Sequence, residues 1–124
     1  MKDESGERPF DLEERTASFG EQVIQFLLPI KPTPVRSPII SQLVRAATSI
    51  GANYCEADEA GSRKEFRYRI GVCGRESKET KFWIRMFAAT LPEMKAAARP
   101  LWKEADELNR IFAAIFRRTK PDGS

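Results

Sequence analysis

The sequence predicts an all-α chain folded as an antiparallel up-down-up-down four-helix bundle. Three observations carry this: apolar residues recur at helical spacing in four separate segments, proline and glycine punctuate the chain between them, and no stretch alternates as a strand would. A length of 124 residues fits one domain with one core, and 41% hydrophobic with 31% charged residues is the balance of an ordinary globular chain. The bundle is assigned to residues 10–119, between tails expected to be flexible at 1–9 and 120–124.

The first helix is expected from about Asp11 to Leu28. Asp11 suits the N-cap, Glu13 and Glu14 suit the first turn, and Phe19, Val23, Phe26 and Leu27 form the apolar seam. Pro29 ends it, and the loop PIKPTP, with three prolines in six residues, cannot be helical. The second helix is expected from Ser37, with Pro38 at its first position and a seam of Ile39, Leu43, Ala46, Ala47, Ile50, Tyr54 and Ala57. Gly61 breaks the chain, and Ser62 with Glu65 forms a capping box for the third helix. There the seam Phe66, Ile70, Cys73, Ser77, Thr80, Ile84 and Phe87 steps by four and three, a heptad, until Thr90 and Pro92 end it. Residues 93–99 read as a short helical connection. The fourth helix is expected from Pro100, with Leu101, Ala105, Leu108, Ile111 or Phe112, and Ile115 facing inward.

Small residues dominate SIGANYCEADEA at 49–60, which predicts a second helix that approaches its neighbours closely and uses a few polar groups to fix register. Histidine is absent, which excludes Ser-His-Asp and Cys-His nucleophilic chemistry, histidine general bases and histidine metal sites. Cys55 and Cys73 lack a CxxC spacing and read as reduced thiols. Neither an enzymatic activity nor a cofactor is expected. The apolar run from Val23 to Ile30 is too short to span a bilayer and the N-terminus MKDESGERPF is charged, so a cytoplasmic location without membrane contact is expected.

Charge is unevenly distributed around a net of +3. Residues 1–34 carry four Lys/Arg against seven Asp/Glu, whereas residues 62–90 carry eight against three. At 100° per residue the third helix sorts these charges onto two flanks. Arg63, Lys64, Arg67, Arg75, Lys78, Lys81 and Arg85 fall beside the seam on one side; Glu65, Glu76, Glu79 and Trp83, with Arg69 as the lone cation, fall on the other. The basic flank, with Arg117 and Arg118 at the C-terminal end, reads either as a phosphate-binding surface for RNA or DNA or as a solvated face that keeps the bundle soluble. Gly71 and Gly74 on that flank would allow close approach of another group. Trp83 reads as an oligomer contact or as an edge of the monomer core.

The carboxylates Glu56, Asp58, Glu59, Glu76 and Glu79 lack the Glu-x-x-His pattern of a di-iron bundle, so no metal site is expected. They read instead as a polar network in which Glu56 or Glu76 meets Arg45, or caps the hydroxyls of Ser49 and Thr80.

The stretches QLVRAATSIGANYCEADEA and SRKEFRYRIGVCGRESKETKFW, with the opening FDLEERTASFGEQVIQF and the tail ELNRIFAAIF, resemble the S23 or 23S ribosomal RNA intervening-sequence proteins over roughly residues 10–120. The resemblance implies a bacterial homopentamer of four-helix bundles without an enzymatic motif. It also implies kinship with accessory proteins of retroelements, whose basic ring binds nucleic acid and a reverse transcriptase. By position, Ser49, Asn53, Glu56, Glu76, Glu79, Thr80 and Trp83 match the family's recurring polar set, whereas Gly71, Gly74 and Cys55 depart from it. The leading expectation is therefore a non-catalytic, oligomeric nucleic-acid-binding protein. The alternative is a protein-interaction or assembly module that uses the acidic and aromatic flank of the third helix.

Overall fold

The structure, a computed structural model, describes residues 11–120. Phe10 and the expected tails, apart from Lys120, lie outside the described residues. Four helices form among the described residues: α1 (Leu12–Leu27), α2 (Arg36–Asp58), α3 (Arg63–Thr90) and α4 (Lys95–Arg118), with a 3-10 turn at Pro92–Met94 before the last. Among the described residues there is no strand.

Local chemistry explains most helix ends. The Asp11 carboxylate accepts from the Glu14 amide at 3.2 Å, and the Ser62 hydroxyl accepts from the Glu65 amide at 3.1 Å. Each satisfies one of the donors that a helix start leaves free. Only the serine half of the expected capping box forms among the hydrogen bonds of the described residues. Helix α2 begins two residues earlier than a start with Pro38 in first position, because Thr33, inside the proline loop, does the capping. Its hydroxyl accepts from the Arg36 amide at 3.0 Å and its carbonyl from the Ser37 amide at 2.8 Å. Pro38 is then the third helical residue, still within the first turn, where a missing N–H costs nothing.

The larger correction is α4, which begins at Lys95 rather than Pro100 and carries that proline in its sixth position. A proline there removes one intrahelical donor and crowds the carbonyl four residues earlier. Ala96 and Pro100 are both exposed, so water can satisfy the acceptor left without a partner. The alanines at 96–98 favour the extra turn, and Ala98 buries itself in the core.

Adjacent helices run in opposite directions, as their pairings show. Across α1 and α2, Gly51 lies against Thr16 and Gly20 against Thr48. Across α2 and α3, the Cys73 thiol donates to the Ile50 carbonyl and Arg36 Nη2 donates to the Thr90 carbonyl at 2.9 Å. Across α3 and α4, Gly71 faces Phe116 while Lys81 faces Asp106. Phe19, Phe87 and Phe112 are the largest fully buried side chains, joined by Leu43, Ile50, Ile70 and Leu108. Phe112, not Ile111, is the inward residue of its pair. Each such side chain contributes about 1.5–3 kcal/mol relative to exposure.

The small residues of α2 act as expected. A methyl at Gly51 would stand 3.2 Å from Thr16 Oγ1 and 3.4 Å from the Thr16 carbonyl carbon, so glycine lets α1 and α2 close together. Polar seam residues are satisfied by their own helices. The hydroxyl of Thr16 donates to the Leu12 carbonyl at 2.6 Å, Ser77 to Cys73 at 2.8 Å and Thr80 to Glu76 at 2.7 Å.

Candidate nucleic-acid interface

The basic flank of α3 and the C-terminal half of α4 enclose a groove of about 1110 Å³. Arg63, Lys64, Arg67, Arg75 and Lys78 of α3 line it together with Arg117 of α4. Among the described residues that line it, none is a carboxylate. The floor is apolar, with Gly71, Ala113 and Phe116 at its surface over the buried Ile70 and Phe112. Gly71 has a steric reason to be glycine, since a methyl there would sit 3.1 Å from the Phe116 ring. That ring is covered by the Arg67 guanidinium, whose central carbon stands 3.7 Å from the ring centroid. Arg67 Nε is buried and has no hydrogen-bond partner among the described residues. Tyr68 rises at the rim, 60% exposed, with the Arg69 guanidinium 5.6 Å from its ring.

Lys81, expected in the same stripe, is engaged within the fold. Its ammonium donates to Asp106 at 2.9 Å, and both side chains are about one-fifth exposed. The hydrogen bond from Lys81 is the leading reason that the Asp106 carboxyl is held below its ordinary pKa. Arg85 lies beyond this bridge and lines a second hollow of about 550 Å³ with Lys95, Arg99 and Trp102, again without a carboxylate in the lining. Arg118 is exposed and lines neither hollow. Arg63 reaches the Lys120 carbonyl at 3.4 Å.

The opposite flank is a packed interface with α2. Arg45 Nη1 donates to Glu76 at 3.2 Å, and Nη2 donates to Glu79. Trp83 is half-buried against the core, its indole N–H donates to Glu79 at 3.4 Å, and Phe82 packs edge-on against it with centroids 5.0 Å apart. Of the two carboxylates expected near Arg45, Glu76 is the one that meets it; Glu56 is exposed. The expected capping of Ser49 and Thr80 hydroxyls by carboxylates does not occur. The Ser49 hydroxyl donates to the Arg45 carbonyl at 2.6 Å, because a helical carbonyl four residues back is the nearer acceptor. Asn53 bridges two helices: its amide nitrogen donates to the Ser49 carbonyl at 2.9 Å and its oxygen accepts from Arg69 at 3.0 Å. Within this chain the set Arg45, Asn53, Glu76 and Glu79 therefore joins α2 to α3.

Three further contacts escaped the pattern of spacing. Arg69 is the partner of Asn53. Arg15 of α1 donates to Glu104 of α4 at 2.7 Å and also to Glu107, and the Glu104 bond is the leading reason its pKa is raised. Asn109 donates to the Gly74 carbonyl at 2.9 Å across the groove floor. Of the thiols, Cys73 is buried, and burial pushes its pKa up to about 12; Cys55 is exposed, and the two are not joined. Among the described residues no cluster of three His, Cys, Asp or Glu side chains is arranged to hold a metal ion, and no helix is long and apolar enough to cross a membrane.

Comparison with known proteins gives a consistent outcome. Residues 11–114 match the family described as 23S rRNA-intervening sequence protein. The fold is similar to a crystal structure of a protein with unknown function from the S23 ribosomal protein family of Bacteroides thetaiotaomicron. The two share 24% identity with a TM-score of 0.74, covering 85% of this chain and 97% of the other. No curated protein matches the chain at a significant level.

Proposed function

The chain belongs to the 23S rRNA-intervening sequence protein family, and from that premise we propose that it is a non-catalytic nucleic-acid-binding protein acting as a homo-oligomer. The α3–α4 face contacts phosphates. The supporting observation is the groove itself: among the described residues, six cations and no carboxylate line one continuous depression. Had these residues been an ordinary solvated face, interspersed acids would be expected, as on the other flank of the same helix. Phosphates bind such a surface without base reading, by displacing condensed counterions. The pentamer implied by the family resemblance would set several copies of this face on one particle and sum their fields.

The alternative, an assembly module presenting Glu76, Glu79 and Trp83, has less free surface to offer. Arg45 of the same chain takes both carboxylates, and the indole is half-buried.

Filter binding of a structured RNA across a salt series tests the proposal. With five or six phosphates engaged, the logarithm of affinity should fall against the logarithm of salt with a slope of roughly −5. The double variant Arg75→Glu/Lys78→Glu should abolish retention while leaving the helical circular-dichroism signal unchanged. No retention of the wild-type protein at low salt would refute the proposal. Light scattering at micromolar concentration tests the oligomer, and a stable monomer would contradict it.

A further inference from the structure

We infer that the α3–α4 groove selects unpaired strands over duplex, holding phosphates on its cationic rim and stacking bases on Tyr68 and on the Arg67–Phe116 pair. The inference rests on the phosphate-binding reading above and adds the class of nucleic acid.

Shape gives the first argument. Two helices in direct contact have axes about 8–10 Å apart, so the depression between them is too narrow to admit a duplex, which could touch only its rims. A single strand can lie along it. Chemistry gives the second. A groove meant only for phosphate needs cations and a wettable floor, yet the floor here is Ala113, the Phe116 ring and the glycine that seats it, above a buried Phe112. The Arg67 guanidinium lies over Phe116 at 3.7 Å, so a base could stack on its outer face as on an aromatic platform. Its Nε has no partner among the described residues. Tyr68 is 60% exposed at the edge of this depression, where a tyrosine contributes nothing to the core, and its position fits a second stacking surface. Cations interleaved with an exposed tyrosine and a guanidinium stacked on a phenylalanine form the combination that binds single strands with little sequence preference.

Fluorescence anisotropy with the full chain tests this directly. The probes are a labelled 12-nucleotide oligouridine, a 12-base-pair RNA duplex and a polyglutamate of equal charge, compared at one salt concentration. The oligouridine should bind at least tenfold tighter than either of the others. Tyr68→Ala, at an exposed position, should weaken the oligouridine about tenfold while leaving the salt slope and duplex binding unchanged. Lys78→Ala should weaken both and reduce the duplex slope by about one. Duplex binding as tight as the single strand, or a Tyr68→Ala variant indistinguishable from wild type, overturns the inference and leaves phosphate binding standing. Polyglutamate bound as tightly as oligouridine overturns it in favour of an acidic peptide partner. If none of the three binds at low salt, the phosphate-binding reading fails and strand selection falls with it.

Discussion

The two flanks of α3 carry seven and four charged groups and use them differently. Toward α2, Glu76 and Glu79 close on Arg45, and Arg69 closes on Asn53. Toward α4, among the described residues, only Lys81 finds a carboxylate, Asp106, while Arg75 and Lys78 line a depression in which no described carboxylate stands. The seam between the flanks is continuous, from Ile70 through Ser77 to Phe87. Apolar packing therefore holds both interfaces, and on the α4 side charge is free for another purpose. Charge complementarity within a bundle is optional when a seam of this length is already buried. An interface that forgoes it marks where the protein's surface is not arranged for its own stability.

The comparison requires that the α3–α4 seam be firmly packed beneath its unpaired cations. Phe112 tests this with the largest expected effect, because it is fully buried directly beneath the groove floor. Phe112→Ala should cost about 3–5 kcal/mol, read from the midpoint shift in a urea titration. A loss below about 1 kcal/mol would mean that the seam is loose and that the groove is a packing gap. The two glycines of α3 sharpen the same point at smaller amplitude. A methyl at Gly74 would meet Phe112 Cβ at an ordinary 3.8 Å, so Gly74→Ala should stabilise the protein by about 1 kcal/mol through helix propensity alone. At Gly71 the methyl would stand 3.1 Å from Phe116, so Gly71→Ala should gain less than Gly74→Ala or lose stability. Equal gains in thermal denaturation would show that Phe116 is not seated as described.

Much of this was legible in the sequence because it depends on period. The four seams, the caps at Asp11 and Ser62 and the segregation of charge on α3 all follow from residues three, four or seven apart. Pairing across helices was legible only where a hairpin fixes the register. Asn53 and Arg69 stand eight residues either side of Gly61, a symmetry that could have identified Arg69 as a network member. The start of α4 was missed because Pro100 reads as a beginning, whereas it is tolerated inside the helix on an exposed face. The fate of Lys81 was missed for a different reason. Whether a cation on a stripe is free depends on which residue of α4 lies opposite, and Asp106 is separated from it by a turn whose length spacing does not give.

The smallest expected effect bears most directly on the difference between the flanks, because its sign matters more than its size. Arg45, Glu76 and Glu79 are exposed to differing degrees, with Arg45 at 44%, so solvent screens the cluster. Arg45→Ala should therefore lower stability by no more than about 1 kcal/mol. Lys78→Ala removes a charge from a lining that holds five other cations, so it should leave stability unchanged or raise it by a few tenths of a kcal/mol through relief of repulsion. Chemical denaturation at low ionic strength makes both differences measurable, and added salt should shrink both toward zero. A Lys78→Ala variant less stable than the Arg45→Ala variant would reverse the assignment, making the basic flank a structural element and the α2 network a dispensable one. The expected order places the cost of unpaired charge on the face proposed to meet a polyanion, where a bound phosphate would remove the repulsion that the fold alone leaves in place.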